Sequence, residues 1–403
     1  MIYVFYFFAV VLIWLSYRSY RGGIIYERFI RDGVSLETRT DLPFATIFAP
    51  CRGVDREFKQ NLRRLFAQQY PSYEILFIVD DKEDAAVKEI EDAILVHSSD
   101  KVRARLLIAP RASISSQKIE NLLFAIPTAD TRSEVFAFVD SDACTDSEWL
   151  ASLAAAALKQ SVGAATGYRW LISENGKLGS ELSSAWNGSV ASALGPNTRS
   201  NFCWGGSMAL RREMFERLDI ESCWKGVLSD DFAVTKAVQD ACLELEFVPR
   251  ALCASFEHQT LGEMLEFTTR QMKITRVYSP GLWLLSMFGS TLFCSVMIAS
   301  IGILLTSELG GLPMAAAIIT LALVTVFTLA KAFIRLRAVR FTLSDHETLL
   351  AKQVIPQCVL AFVAPPIFLV NTILALFSRR IRWRGTVYEL KSPSETVIIR
   401  EKR

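Results

Sequence analysis

Histidine is nearly missing. The 403 residues contain three, His97, His258 and His346, none within five residues of another, which leaves little room for a histidine-built metal site. The eight cysteines form no CxxC pair, and two of them lie inside apolar runs. That pattern argues against a disulfide framework or a zinc knuckle and fits a reducing, cytosolic main domain. Charge of one sign is also lacking. Lys+Arg 44 against Asp+Glu 42 gives a formal net charge of +2, so nothing in the balance points to a nucleic-acid partner. There is no internal repeat and no low-complexity segment. What the chain does have is apolar content, 51% hydrophobic with a mean hydropathy of +0.28, too high for an ordinary soluble protein and in the range of a membrane protein.

The apolar residues are concentrated. Residues 1–17 carry no charge before Arg18, and at 1.5 Å per residue they reach roughly 25 Å, near the lower limit for crossing a bilayer. Cations follow the run at Arg18 and Arg21, the reverse of a secretory signal, so residues 1–22 are expected to be an uncleaved anchor with its C-terminal end in the cytosol. Three more uncharged stretches occur at 281–307, 311–330 and 353–377. Arg270, Lys273 and Arg276 before the first, and Lys331, Arg335, Arg337 and Arg340 after the second, predict a hairpin whose Glu308-Leu309-Gly310 turn lies outside. The third carries Pro365-Pro366 at its middle and would deliver Arg379, Arg380, Arg382 and Arg384 to the wrong face, so a true span and a re-entrant hairpin stand as alternatives. The expected organisation is an anchor (1–22), a soluble domain (35–279), C-terminal membrane segments (280–378) and a basic and polar tail (379–403), with Glu389 onward peripheral or frayed.

Within the soluble part, Phe44–Phe48, Glu74–Val79, Arg105–Ile108 and Val135–Val139 are short apolar runs without polar alternation, the pattern of buried parallel strands. Helical patterns at 57–69, 84–95, 116–126 and 147–158 separate them. Alternation at this spacing predicts an α/β fold built from βαβ units around a mostly parallel, Rossmann-like sheet, with ligands bound beyond the carboxyl ends of the strands. Two of those ends carry carboxylates, Asp80-Asp81 and Asp140-Ser141-Asp142. Capping of the next helix is a competing reading for the first pair. For the second, two carboxylates at the end of a core strand repel each other unless a cation lies nearby, and a divalent, oxygen-seeking ion would provide one.

The ordered combination of motifs resembles a family 2/21-type glycosyltransferase with a GT-A fold, closest in pattern to the ceramide glucosyltransferase group and its bacterial hopanoid-associated relatives. The stretch Pro50-Cys51-Arg52-Gly53-Val54-Asp55, then Asn61-Leu62, Phe66 and residues 70–76, is similar to the opening of that group, and residues 118–122 to its KIxNL stretch. Asp81, Asp140 in Asp-Ser-Asp142, and Asp231 match its three signature aspartates in order, and residues 382–390 resemble its tail. One departure is visible: the (Q/R)xxRW stretch reads Arg270-Gln271-Met272-Lys273-Ile274, so the planar guanidinium fork and the indole are replaced.

The resemblance implies a UDP-sugar donor, a membrane lipid acceptor such as ceramide, and transfer of a glucose-type hexose beside the bilayer by an integral multi-pass protein whose catalytic domain faces the cytosol. Asp140 and Asp142 would hold Mg²⁺ or Mn²⁺, which offsets charge on the leaving diphosphate. Asp81 would contact the nucleotide. Lys118 would pair with a phosphate or be a solvated charge. Asp231 would act as the base of an inverting transfer, or serve helix capping behind Ser229, or both. Arg270 and Lys273 would neutralise the diphosphate, while Arg276 would meet lipid headgroups. Trp204, Gly205, Gly206 and Asp230 would lie at the acceptor site. Tyr168, Arg169, Trp170 and His258 take no assigned role. A processive polysaccharide synthase and a catalytically silent membrane scaffold are the competing functions.

Overall fold

A computed structural model describes residues 2–35, 41–306 and 311–399. The expected Glu308–Gly310 turn lies outside the described residues. In chain order the elements begin with α1 (Ile2–Ser35), β1 (Ala45–Pro50), α2 (Phe58–Phe66), β2 (Tyr73–Val79), α3 (Ala85–His97), β3 (Val102–Ile108), α4 (Gln117–Ala125), β4 (Val135–Val139) and α5 (Trp149–Ala157). They continue with β5 (Val162–Ser173), α6 (Leu178–Ala191), β6 (Ser207–Arg211), α7 (Arg212–Arg217), α8 (Ile220–Trp224), α9 (Asp230–Asp240) and β7 (Glu244–Glu257). The last are α10 (Leu261–Tyr278), α11 (Pro280–Leu305), α12 (Leu312–Thr342), α13 (Glu347–Lys352), α14 (Val354–Leu360), α15 (Ala364–Phe377), β8 (Arg380–Trp383), β9 (Thr386–Ser392) and β10 (Glu395–Ile399). Internal contacts divide the chain into two compact units.

The first unit comprises Asp32–Leu171, Ala193–Phe256 and Arg379–Arg403. Its seven-stranded sheet has the order β3-β2-β1-β4-β6-β5-β7, parallel from β3 through β4 and antiparallel where β6 meets β4 and β5. The uninterrupted apolar runs read from the sequence are β1, β2 and β4, and β2 and β4 are buried along their whole length. Covering helices on both faces of a parallel sheet leave such strands no exposed side, which is why they lack alternation. β3 differs: every residue after Val102 is exposed or half-buried, because it is the edge strand. Aromatic rings fill the centre. Phe48 stacks on Phe138 at 5.2 Å, and Phe138 meets the edge of Trp224 at 5.4 Å. Truncating a ring such as Phe138 to alanine costs about 3–5 kcal/mol at a site of this kind.

Register places the functional edge. Pro50 pairs with Ile78 and Phe48 with Phe138 in parallel, so the chain leaves β1, β2 and β4 on the same side of the sheet. The antiparallel neighbour β6 begins there, with Ser207 opposite Val139, and therefore brings residues 204–206 to the end of β4. The tail corrects the frayed expectation: β8, β9 and β10 form a three-stranded antiparallel sheet with Tyr388 and Leu390 buried. Short strands with a period of two put Tyr388 and Leu390 on one face and Glu389 on the other, which reads as polar when counted residue by residue.

The second unit comprises Met1–Arg31, Ile172–Ser192 and Glu257–Ser378. α1, α11 and α12, of 34, 26 and 31 residues, are each long and apolar enough to cross a membrane. The first of them continues well past residue 22. The third apolar stretch is two helices, α14 and α15, bent by 56° across a short break. Pro365 and Pro366 occupy the first turn of α15, where a missing N–H costs nothing, so they start a helix and do not interrupt one. α10 opens on a capping box in which Thr260 and Glu263 satisfy each other's backbone N–H.

Candidate active site

The carboxylates expected at the strand ends belong to the sheet unit. After β2, helix capping falls to Asp84, whose Oδ1 accepts from the Ala86 N–H at 2.8 Å and also from Gly53 N at 2.9 Å. Asp80 and Asp81 are thereby free of that duty. Asp81 stands at the surface, with Oδ1 accepting from Glu83 N at 3.0 Å and Oδ2 2.7 Å from Arg111 Nη2. The backbone N–H of Glu83, then the Arg111 guanidinium, hold its carboxyl below the ordinary range. Asp80 lies 3.9 Å from Arg52.

Beyond β4, Lys118 organises the pocket. Its ammonium is buried and lies 2.7 Å from Asp140 Oδ1 and 3.0 Å from Asp230 Oδ2. Burial alone would lower the ammonium pKa, but Asp140 and Asp230 outweigh it and lift the group above its usual range. The lysine is therefore not a solvated charge. It reaches this position because Ser116 caps α4, accepting from Ile119 N at 3.3 Å, and the first turn of that helix points into the site. Asp230 is buried, with its carboxyl raised by desolvation and by Asp231 and Asp140 against the pull of Lys118. The structure makes Asp230 an enclosed partner of Lys118.

The Trp204-Gly205-Gly206 loop closes over these groups. Asp140 N donates to Gly206 O at 3.3 Å, tying the loop to the end of β4. A Cβ on Gly205 would stand 2.0 Å from Asp230 Oδ2, and one on Gly206 2.3 Å from the Trp204 ring, so both positions require glycine for space. Asp231 is half-buried beside this loop. Its Oδ2 accepts from Gly205 N at 3.4 Å, and its Oδ1 accepts from Phe232 N at 2.8 Å and from the Ser229 hydroxyl. Ser229 sits at the N-cap of α9 but spends its hydroxyl on Asp231, making no side-chain cap bond. Capping duty at this helix start therefore falls to Asp231, whose Oδ1 satisfies the first-turn Phe232 N–H, and not to the Ser229 hydroxyl.

Asp142 lies in the same recess, 3.8 Å from Arg169 Nη1, with its carboxyl raised by desolvation and by Asp140. Arg169 also lies over the Trp204 ring, 5.5 Å from its centre, and Tyr168 packs on that ring at 5.8 Å. Arg169 received no role from sequence, since a lone arginine in a strand carries no motif. The tail adds another cation. Arg384 makes a paired contact with Asp55, and Asp142 and Asp140 contribute to the rise of its pKa. Its location could be found only through the tail motif, because Asp55 is 329 positions away.

Asp140 and Asp142 offer oxygen donors suited to Mg²⁺ or Mn²⁺, and desolvation, then Asp140, raise the Asp142 carboxyl against the opposing pull of Arg169 and Arg384. Among the described residues no group of three or more His, Cys, Asp or Glu is arranged to hold a metal. The pair fits an ion that takes most of its ligands from a diphosphate and water.

Arg270 and Lys273 belong to α10 in the helical unit. Arg270 lies 5.6 Å from the centre of the Phe267 ring, and Ile274 is buried. Arg276 donates to the carbonyls of Ala375 and Leu376 at 2.5 and 3.0 Å, so it caps α15 and is not free for headgroups.

Comparison with known proteins bears on this arrangement. Residues 7–396 match the family described as Glycosyl transferase family 21. Ceramide glucosyltransferase 1 of Caenorhabditis elegans is 29% identical over 94 residues, 23% of this chain and 20% of that protein, and ceramide glucosyltransferase 3 of the same organism is 28% identical over 128 residues, 32% and 25% of the two. The matched stretches thus span only about a quarter or less of those relatives' own length. Among solved structures, a mannosyltransferase from Pyrobaculum calidifontis in complex with GDP-Man and Mn²⁺ aligns with a TM-score of 0.49 at 16% identity, covering 88% of this chain and 98% of that one.

Proposed function

The chain belongs to glycosyltransferase family 21, and from that premise we propose that it is an inverting hexosyltransferase moving a glucose-type sugar from a UDP-sugar to the hydroxyl of a membrane lipid such as ceramide. The observation that carries the reading is the placement of Asp231: a half-buried carboxylate held by Gly205 N beside the buried Lys118, Asp140 and Asp230 cluster at the end of β4.

In this reading Asp81 meets the nucleotide, with Arg111 fixing its carboxylate. A divalent ion, Mg²⁺ or Mn²⁺, would supply Lewis-acid stabilisation of the leaving diphosphate when bound to Asp140 and Asp142. Lys118 holds Asp140 in place and keeps the strand end from carrying unbalanced negative charge. Trp204, Gly205 and Gly206 form the floor on which the acceptor rests. Asp231 takes the proton from the lipid hydroxyl as that oxygen attacks the anomeric carbon and the sugar–diphosphate bond breaks on the opposite face. Its hydrogen bonds from Phe232 N, Gly205 N and Ser229 orient the carboxylate for that task. By the positive-inside rule the sheet unit faces the cytosol, where nucleotide sugars are available.

The test is lipid mass spectrometry on cells carrying the wild-type chain or Asp231→Asn, paired with UDP release by the purified protein given UDP-glucose and ceramide. A glycolipid made by the wild type and absent from the variant supports the reading. A glycolipid formed equally by both removes Asp231 as the base.

A further inference from the structure

Arg169 is the one residue of β5 that is not buried, in a strand of 12. A charge set into an otherwise enclosed strand costs free energy unless something nearby makes use of it. The strand leads it to the site. Thr166, three residues earlier, lies opposite Met208 of β6, and its hydroxyl accepts from Trp204 N at 3.0 Å. β5 therefore runs on past the start of β6 into the recess beyond β4, in the same unit as Asp140, Asp142 and Trp204.

Cations hold the two carboxylates of that recess differently. Lys118 is within hydrogen-bond distance of Asp140, at 2.7 Å. Arg169 Nη1 stands 3.8 Å from Asp142 Oδ2, too long for a hydrogen bond, so this pair is attracted without being locked. The Asp142 side chain is 36% exposed and that of Arg169 15%, which opens the carboxylate to a solvated ion while the guanidinium stays largely covered. The backbone beneath is anchored: Ser255 Oγ donates to Asp142 O at 3.2 Å, and Asn61 Nδ2 to Ser141 O at 3.0 Å. Adjustment falls to the side chains. Arg384, the other cation that acts on Asp142, gives both arms to Asp55. Arg169 has the face of Trp204, 5.5 Å away, as a contact that does not depend on Asp142.

We propose that Arg169 is a positioning residue that serves Asp142 as counter-ion and competes there with a divalent cation, so that the ion binds tightly to Asp140 and Asp142 only in company with an anionic diphosphate. A bare divalent ion brought to Asp142 meets the guanidinium at close range, and the like charges repel. A diphosphate carries enough negative charge to offset both. Arg169 thereby couples ion binding to donor binding without touching the reacting atoms. The inference rests on the reading of Asp142 as an ion ligand and is independent of which sugar or lipid is used.

The experiment is titration of the full chain, purified in neutral detergent, with Mn²⁺ alone, following free Mn²⁺ by electron paramagnetic resonance. Arg169→Gln is expected to tighten Mn²⁺ binding by about fivefold, the upper end for removal of one partly exposed ion pair. Arg169→Met, which keeps an unbranched chain over the Trp204 ring, should tighten it as much, and Arg169→Lys, which keeps the charge, should bind as the wild type does. In an Asp142→Asn background, Arg169→Gln should change nothing, because the contested carboxylate is gone. Unchanged or weaker Mn²⁺ binding in both Arg169→Gln and Arg169→Met overturns the proposal, as does a tightening that survives Asp142→Asn. The underlying reading has its own check in the affinity of the wild type for UDP, measured by calorimetry with Mn²⁺ and with chelator. Equal affinities remove the ion from this site and the proposal with it, whereas Mn²⁺-dependent UDP binding beside unaltered Mn²⁺ affinity in the Arg169 substitutions removes Arg169 alone.

Discussion

Arg384 grips Asp55 with both arms of its guanidinium, Nη1 at 3.1 Å from Oδ1 and Nη2 at 2.7 Å from Oδ2. The contact fastens the β8–β9 turn to the loop after β1, and the residues at the turn, Arg384 and Gly385, both have positive φ. A lysine keeps the charge and loses the fork. Arg384→Lys is expected to lower kcat/KM for UDP release by about tenfold, mainly through a higher KM for the nucleotide sugar, as a lost bidentate pair predicts. Steady-state kinetics of the purified chain checks this; unchanged KM would make the tail contact structural only.

Gly205→Ala puts a methyl group 2.0 Å from Asp230 Oδ2. Either the loop or the Lys118 pair must move. The expected cost is about 1–3 kcal/mol of stability together with loss of transfer, read by a thermal melt and by UDP release. A variant with wild-type melting and turnover would show that the loop has slack.

Removing divalent ions should stop UDP release, and Mn²⁺ or Mg²⁺ should restore it. Asp142→Asn should need more ion for half-maximal rate, because a carboxylate ligand becomes a weaker amide. Full activity in a chelator would rule out the ion-binding role of Asp140 and Asp142.

The raised carboxyl pKa of Asp230 has a definite sign. A group that binds its proton more tightly in the folded state than in the unfolded one contributes stability at low pH, lost as pH rises from the ordinary carboxylate range through the raised value. Asp230→Asn removes that dependence. Melting temperatures across mildly acidic to neutral pH should therefore decline less steeply in the variant than in the wild type, and identical slopes would contradict the desolvation of this carboxyl.

Lys118→Met leaves Asp230 buried without its cation and should cost about 3–5 kcal/mol. Adding Asp230→Asn removes the stranded charge and should recover part of the loss. Urea titrations of the two variants measure the difference. No recovery in the double variant would place the damage at Asp140 alone.

The parts legible in the sequence share a cause. β2 and β4 are buried throughout and β1 at all but Pro50, so their burial leaves a continuous apolar signal, and the carboxyl ends of strands in a parallel sheet are where ligands bind. What was not legible involves pairing at long range. The Lys118 contacts with Asp140 and Asp230, and the Arg384 contact with Asp55, join stretches that no local pattern connects. Burial decides the roles here: Asp230 and Asp231 are adjacent in sequence, yet one is enclosed by Lys118 and the other stands half-open beside the loop. The β8–β10 sheet went unread because strands of four to seven residues give too few alternations to distinguish them from a solvated tail. In the third stretch the apolar composition and the alternative of an interruption near Pro365-Pro366 were legible, while the 56° bend between α14 and α15 was not.

The opposed directions of β4 and β6 have a consequence for how such a protein can diversify. Val139 faces Ser207 through ladder hydrogen bonds, so the distance from Asp140 to Gly206 is fixed by the sheet and not by the long excursion of chain between them. Insertions and replacements in that excursion can reshape what sits above the loop while Asp140 and Gly206 keep their spacing. Change of customer and constancy of chemistry are thereby assigned to different stretches of the same polypeptide.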